Sequence, residues 1–120
     1  MKSPDSLIQM GLLGEALEDG PVGVLVADEE MRYIAANRYV CRLLGYDRDE
    51  LLQLRVTDVA RTPTASDEYA EMIRDGVRLG TIPVTCRNGA TVDVDYRAAE
   101  TMVAGMKLYV SVLWPRSGPT

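Results

Sequence analysis

Two cysteines that each precede an arginine, Cys41-Arg42 and Cys86-Arg87, and two aspartates one residue apart, Asp93 and Asp95, are the side chains in this 120-residue sequence whose types and spacing could do chemistry. A neighbouring guanidinium favours the thiolate, the form that attacks a carbonyl or a flavin ring. Neither thiol has an imidazole to take its proton, because the chain contains no histidine. The same absence removes histidine-ligated haem or zinc and every Ser-His or Cys-His pair. Asp93 and Asp95 share one face of an alternating segment, but that face is the charged, wet one. Carboxylates there lack the burial that shifts a pKa and the third ligand that holds a cation. The expectation is therefore no catalytic residue, no metal site and no enzyme activity.

Composition narrows the remaining classes. With 47% hydrophobic residues, 120 residues suit one domain with a single core. A net charge of −5, with the 13 basic residues scattered along the chain, argues against nucleic acid. No apolar run reaches the roughly 18 residues of a membrane span. The first 20 residues carry charges that spoil a signal-peptide core, so a cytoplasmic location is expected. Two cysteines are too few for a disulfide scaffold and lack metal-ligand spacing. With no Phe, 6 Tyr and 1 Trp, the interior must be mainly aliphatic and methionine-containing, a kind of core that reshapes easily.

The elements that would position these groups are clearest in residues 22–54. Val22 to Ala27 is apolar at every position, as in a strand covered on both sides. Asp28-Glu29-Glu30 reads as a turn, and Met31 to Ala35 as the partner strand. Asn37 is placed to cap a helix carrying Tyr39, Val40, Leu43 and Leu44, which Gly45 ends in a left-handed conformation. Asp47 and Glu50 have the spacing of a capping box for a second short helix buried through Leu51, Leu52 and Leu54.

Elsewhere, Leu7, Ile8, Met10, Leu13 and Leu17 recur at helical spacing before Gly20-Pro21 and predict an amphipathic helix weakened by Gly11 and Gly14. Thr57 or Asp58 opens a brief helical turn. After Pro63, Thr64 or Ser66 opens a longer helix through Tyr69, Met72 and Ile73, with Val77 at its margin and Gly76 or Gly80 at its end. Thr81 to Arg87 alternates with Ile82, Val84 and Cys86 inward, and Pro83 marks an edge or an irregularity. Asn88-Gly89 is a hairpin signal, followed by Val92, Val94, Tyr96 and Ala98 inward against outward charges. Lys107 to Trp114 is apolar on both faces, as a central strand would be. With Leu108, Val110 and Val112 assigned to the helix side, Tyr109 and Leu113 fall on the outer face.

The pattern of short strand, acidic turn, second strand, Asn, aromatic-containing helix, Gly-Tyr and Glu-Leu resembles the PAS sensory domain family of bacterial signalling proteins. The residues that carry it are Val24 to Asp28, Ile34, Asn37, Leu43-Leu44-Gly45-Tyr46 and Glu50-Leu51, and the resemblance extends more loosely over residues 17–115. It implies an α+β fold: a PAS-like antiparallel sheet of about five strands, short helices on one face and an N-terminal amphipathic helix. The division is residues 1–18 for that helix, 19–115 for the sensor domain and 116–120 for a tail or linker. In light-oxygen-voltage relatives the flavin-attacking cysteine follows the Gly-Tyr helix. The matching run here is Arg55-Val56-Thr57-Asp58, with Val56 at the cysteine place, so no cysteinyl-flavin adduct is expected, just as no histidine-ligated haem is.

The resemblance further implies a sensory or regulatory role, with the signal passed to an output module in the same protein or a partner. A ligand would sit among Tyr69, Met72, Ile73, Val84, Cys86, Val94, Tyr96, Val110 and Val112, with Val24 also inward. That lining favours a small, largely apolar molecule, fatty-acid-like or aromatic, over nucleotides or anions. The N-terminal helix, through Leu7, Ile8, Met10, Leu13 and Leu17, would join Tyr109 and Leu113 in a homodimer interface; the plainer alternative is that the helix covers its own sheet. Two rival functions remain in view. One is a homodimerising interaction module with a full core. The other is a small cone-shaped enzyme of the ketosteroid isomerase type, which needs an inward acidic base that this pattern does not supply.

Overall fold

The computed structural model describes residues 4–60, 74 and 76–116. The longer helix expected from Thr64 or Ser66, and with it Tyr69, Met72 and Ile73, lies outside the described residues. Chain order is α1 (Pro4–Glu18), β1 (Gly23–Ala27), β2 (Tyr33–Ala36), α2 (Arg38–Leu44), α3 (Arg48–Leu51), α4 (Val56–Val59), β3 (Val77–Thr85), β4 (Thr91–Val103) and β5 (Met106–Pro115). The strands form one antiparallel sheet in the order β2-β1-β5-β4-β3, which makes β5 central. Pro83 lies in the edge strand β3, where a missing N–H is tolerated.

Local chemistry explains the first half. The Asp28 carboxylate accepts from the backbone N–H of Glu30 at 2.9 Å and of Arg32 at 3.0 Å, and Met31 takes a φ of 69°. The turn therefore runs on through Arg32, and β2 begins at Tyr33 rather than Met31. Ile34 is the extra residue of a bulge, since Val26 pairs with Ala35 and Ala27 with Tyr33. Gly45 closes α2 with a φ of 80°, and its N–H donates to Cys41 at 2.8 Å. Glu50 accepts from the Asp47 N–H at 3.1 Å to open α3. The end of β3 is tied to the same helix, because Arg87 N–H donates to the Leu44 carbonyl at 2.8 Å. Asn88-Gly89 does turn the β3–β4 hairpin, as a three-residue loop. Gly89 N–H returns to the Cys86 carbonyl at 2.9 Å, and Gly89 itself takes a φ of 88°.

Helices α2, α3 and α4 pack on one face of the sheet, over a core that includes Leu25, Val40, Leu44, Leu51, Val59 and Val94. The approach of α2 to β1 is close. A Cβ on Gly23 would stand 3.1 Å from two atoms of the Val40 side chain, so any larger residue here would require α2 to give by a few tenths of an ångström.

Apart from the tyrosine hydroxyls and the Cys86 thiol, Asn37 is the one polar side chain among the buried residues described, at 7% exposure. Its Oδ1 accepts from Val40 N–H at 3.1 Å, capping α2, and from Val24 N–H at 2.9 Å, fixing the start of β1. Its Nδ2 donates to the carbonyls of Val22 at 2.9 Å and Leu17 at 2.5 Å, reaching back to the end of α1.

Beyond that anchor and the ion pairs of Glu18 with Arg48 and of Asp19 with Arg38, α1 keeps its apolar side chains in solvent. They are not confined to one stripe: at helical spacing, Ile8 and Leu12 stand on the side away from Met10 and Leu17. Asn37→Ala leaves two N–H groups and two carbonyls without this partner. It should lower unfolding stability by about 2–4 kcal/mol, read as a reduced urea midpoint with an unchanged slope.

Candidate functional site

The register of the inner face shows why a hollow forms there. One row across the sheet reads Gly23, Leu113, Tyr96, Gly80; the next reads Leu25, Ser111, Ala98, Arg78; the third runs through Ala27, Tyr109 and Glu100. The middle row has two small side chains, Ser111 and Ala98, between rows that carry tyrosines. Space therefore remains above the sheet's centre. Tyr96 lies over Gly80, its ring 3.3 Å from where a Cβ would be.

The resulting cavity has a volume of about 90 Å³. Its described lining is mostly apolar: Leu25 and Leu113 from the sheet, Leu44 from α2, Val56 and Val59 from α4, with Ile82 and Val84 on the β3 side. Among the described residues, those on the wall that carry polar side-chain groups are Tyr33, Tyr96, Tyr109, Ser111 and Arg78.

The residues expected around a ligand fall in different places. Val84, Val94 and Tyr96 face the cavity, and Cys86 is buried in the adjoining core, with its Sγ 3.6 Å from the Leu43 carbonyl. Val110, Val112 and Val24 are corrected. Val24 pairs with Val112 and Val26 with Val110 on the outer face, while Leu25, Ala27, Tyr109, Ser111 and Leu113 face the helices.

Tyr109 and Leu113 are accordingly removed from the expected dimer surface, being 2% and 5% exposed inside the domain. The reason is that a strand apolar on both faces carries no phase in its sequence. Here the phase follows from pairing with β1, whose own phase is held by Asn37 and the close packing of α2. Arg78 was missed because Val77 to Gly80 reads as the tail of a helix, whereas β3 already begins at Val77. Its cross-strand partner Ala98, an inward position, is the signal that could have found it.

Cys41 lies on α2 and is partly buried, while Cys86 is buried just after β3. Burial pushes the Cys41 thiol up, more than the nearby Arg48 guanidinium brings it down, so the thiolate is disfavoured. Asp93 is exposed, and Asp95 accepts from the Thr81 hydroxyl at 2.5 Å on the outer face. Among the described residues no group of three His, Cys, Asp or Glu could hold a metal ion, and none of the helices is long and apolar enough to cross a membrane.

Tyr33 is the most perturbed group on the cavity wall. Burial pushes its hydroxyl far above the usual phenol range, and the negative charge of Asp58 adds to the effect. Tyr109 is raised by burial as well. Both stay protonated hydrogen-bond donors at neutral pH. A phenol with a raised folded pKa holds its proton after the unfolded chain has lost it. Its stabilising contribution is complete below the unfolded pKa of about 10 and is lost as pH rises towards the folded value. Between pH 10 and 11, Tyr33→Phe should lose less stability than the parent chain by on the order of 1 kcal/mol, measured by urea unfolding at each pH.

A family model described as PAS domain matches residues 21–112. Comparison with curated proteins finds no match. Among solved structures, a PAS domain from a two-component sensor histidine kinase superposes with a TM-score of 0.82 at 12% identity, covering 92% of this chain and 99% of that one. The PAS domain of an HTR-like protein from Haloarcula marismortui gives 0.80 at 21% identity, with 93% and 96% covered. A domain of a sensory box sensor histidine kinase/response regulator from Geobacter sulfurreducens gives 0.76 at 23%, with 89% and 94% covered. At these identities the likeness is one of fold.

Proposed function

The chain belongs to the PAS domain family, and from that premise we propose that it is a sensory and regulatory domain that binds a small, largely apolar molecule and passes the change to an output module. The observation that carries this reading is the apolar hollow over Ser111 and Ala98, on the helix-covered face of the sheet. Among the described residues its wall carries hydroxyl-bearing side chains and Arg78 but no arrangement for nucleophilic attack, which favours binding over catalysis. Val56, at the position of the flavin-attacking cysteine in light-oxygen-voltage relatives, contributes an isopropyl group to that wall. The reading therefore includes neither a flavin adduct nor haem held through histidine. Two free thiols suit a reducing cytoplasm.

Native mass spectrometry of protein purified from cells should find a retained compound. Thermal shift with small apolar molecules should raise the melting temperature of the parent chain. Ser111→Leu, which fills the hollow, should abolish that shift. A chain that retains nothing and shifts with nothing would favour the full-core interaction module instead.

Self-association is part of the proposal because of α1. Leu7, Ile8, Met10, Leu13 and Leu17 are each 44–62% exposed, and a helix so apolar is stable in water only when partnered. A second copy meeting α1 and the outer face around Val24, Val110 and Val112 would supply that cover. Leu7→Glu with Leu13→Glu should weaken the dimer at least about tenfold by light scattering while moving the melting temperature by only about 2 °C. An unchanged dimer would exclude α1 from the interface.

A further inference from the structure

The two edges of the sheet differ. The outer edge of β2 is taken up by the chain that follows α3: Tyr33 N–H donates to the Leu54 carbonyl at 3.1 Å, Val56 N–H to the Met31 carbonyl at 2.8 Å, and Arg32 bridges to Arg55. The other edge is β3. Glu100 N–H donates to the Gly76 carbonyl at 2.9 Å and Cys86 N–H to the Ala90 carbonyl at 2.8 Å, and the register between these bonds runs without a shift. Hydrogen-bonded pairs in an antiparallel ladder recur at every second residue, so Arg78, Gly80, Ile82 and Val84 turn their backbone groups towards β4. Val77, Leu79, Thr81, Pro83 and Thr85 turn theirs away from it. Pro83 thus sits where no ladder bond is lost, and its ring blocks a further strand at that point. Val77 to Thr81 is the open stretch. Among the described residues no backbone partner takes the edge-facing groups of Val77, Leu79 or Thr81. Val77 and Leu79 are 42% and 61% exposed on the outer face, and an apolar edge of this kind is a template for another strand.

We propose that this stretch pairs with the same stretch of a second copy, antiparallel about a two-fold axis at Leu79, joining two five-stranded sheets edge to edge. The occupant is a second copy because the stretch is complementary to itself. With the axis at Leu79, Leu79 meets Leu79 of the second copy and Val77 meets its Thr81, each pair exchanging N–H and carbonyl groups. The next pair would set Pro83 against residue 75, which precedes β3, so the missing N–H costs nothing. Moving the axis to Gly80 would instead drive the Pro83 ring against Val77. On the inner face each Arg78 stands opposite Gly80 of the other copy, which has no side chain to collide with it. On the outer face the two Arg97 residues, each paired with Leu79 on its own sheet, are three strand spacings apart. That is about 14 Å, beyond the ~8 Å screening length at physiological salt. Because the β2 edge is occupied, the pairing is β3 with β3 and closes on itself. It is independent of the cavity reading. Its small area makes it a weak contact that joins chains, or the dimers proposed above, at high concentration.

The test is disulfide cross-linking of the full chain by oxidised glutathione over a concentration series, with the parent chain and its Cys41 and Cys86 giving the background rate. Leu79→Cys sets two thiols at the axis, on Cα atoms about 5.5 Å apart, within disulfide reach. Val77→Cys sets its two thiols out of register by roughly 13 Å along the strands. The first variant should link at least about tenfold faster than the second. Leu79→Lys, which places two ammonium groups side by side, should weaken high-concentration association at least about tenfold in sedimentation velocity. Adding Leu7→Glu and Leu13→Glu to Leu79→Cys should leave the cross-linking at high concentration in place, since α1 takes no part in it. Equal rates for Leu79→Cys and Val77→Cys, or cross-linking lost with the α1 substitutions, overturns the assignment. Association that stops at the α1 dimer at every concentration, or that Leu79→Lys leaves unchanged, overturns it as well and leaves the edge to a strand of another protein.

Discussion

The carboxamide of Asn37 donates both its hydrogens and accepts twice at its oxygen inside the fold, and the mutual placement of α1, β1 and α2 follows from that one side chain. Other residue types fail here for definite reasons. Aspartate has no donors and would turn two attractive contacts with carbonyls into repulsive ones. Serine caps a helix but brings one donor. The amide is also short enough to sit beneath the start of β1, where Gly23 lets α2 come close. Backbone groups that would otherwise be stranded at a strand start, a helix start and a helix end are satisfied together, which lets the interior close at this corner.

Much of this was legible because it is local. Asn37, Gly45 and the Asp47–Glu50 pair act within one turn of their own position, and type and spacing reveal such roles. The sheet's centre is another matter. β5 is apolar at consecutive positions, so the alternation that would reveal its inner face is absent; the register with β1 decides it, and register is a long-range property. Arg78 was hidden differently. Val77, Arg78 and Leu79 continue a helical-looking run, and the φ of 81° at Gly76, where the chain turns into β3, cannot be read from the letters alone.

The cavity and α1 pose opposite problems of water. Inside, a few small side chains in one row leave room that the tyrosines on either side do not fill. Outside, a helix exposes leucines around its circumference and is joined to the domain through polar contacts at its last turn. Hydrophobic burial stabilises the first arrangement and remains incomplete in the second. The ion pairs that fasten the helix end are solvent-exposed and screened by salt, so its attachment depends more on Asn37 than on them.

The sheet is a partition one residue thick. Along β5, Tyr109, Ser111 and Leu113 belong to the enclosed side, and Val110 and Val112, their immediate neighbours in the chain, belong to the other. A change in strand twist that lets the enclosed side close on a guest must therefore turn the two valines through a matching angle, because the same backbone carries both sets. Sitting at the middle of five strands, β5 imposes that turn on β1 and β4 together. Inside and outside are opposite faces of one mechanical element, with no intervening layer to absorb the strain.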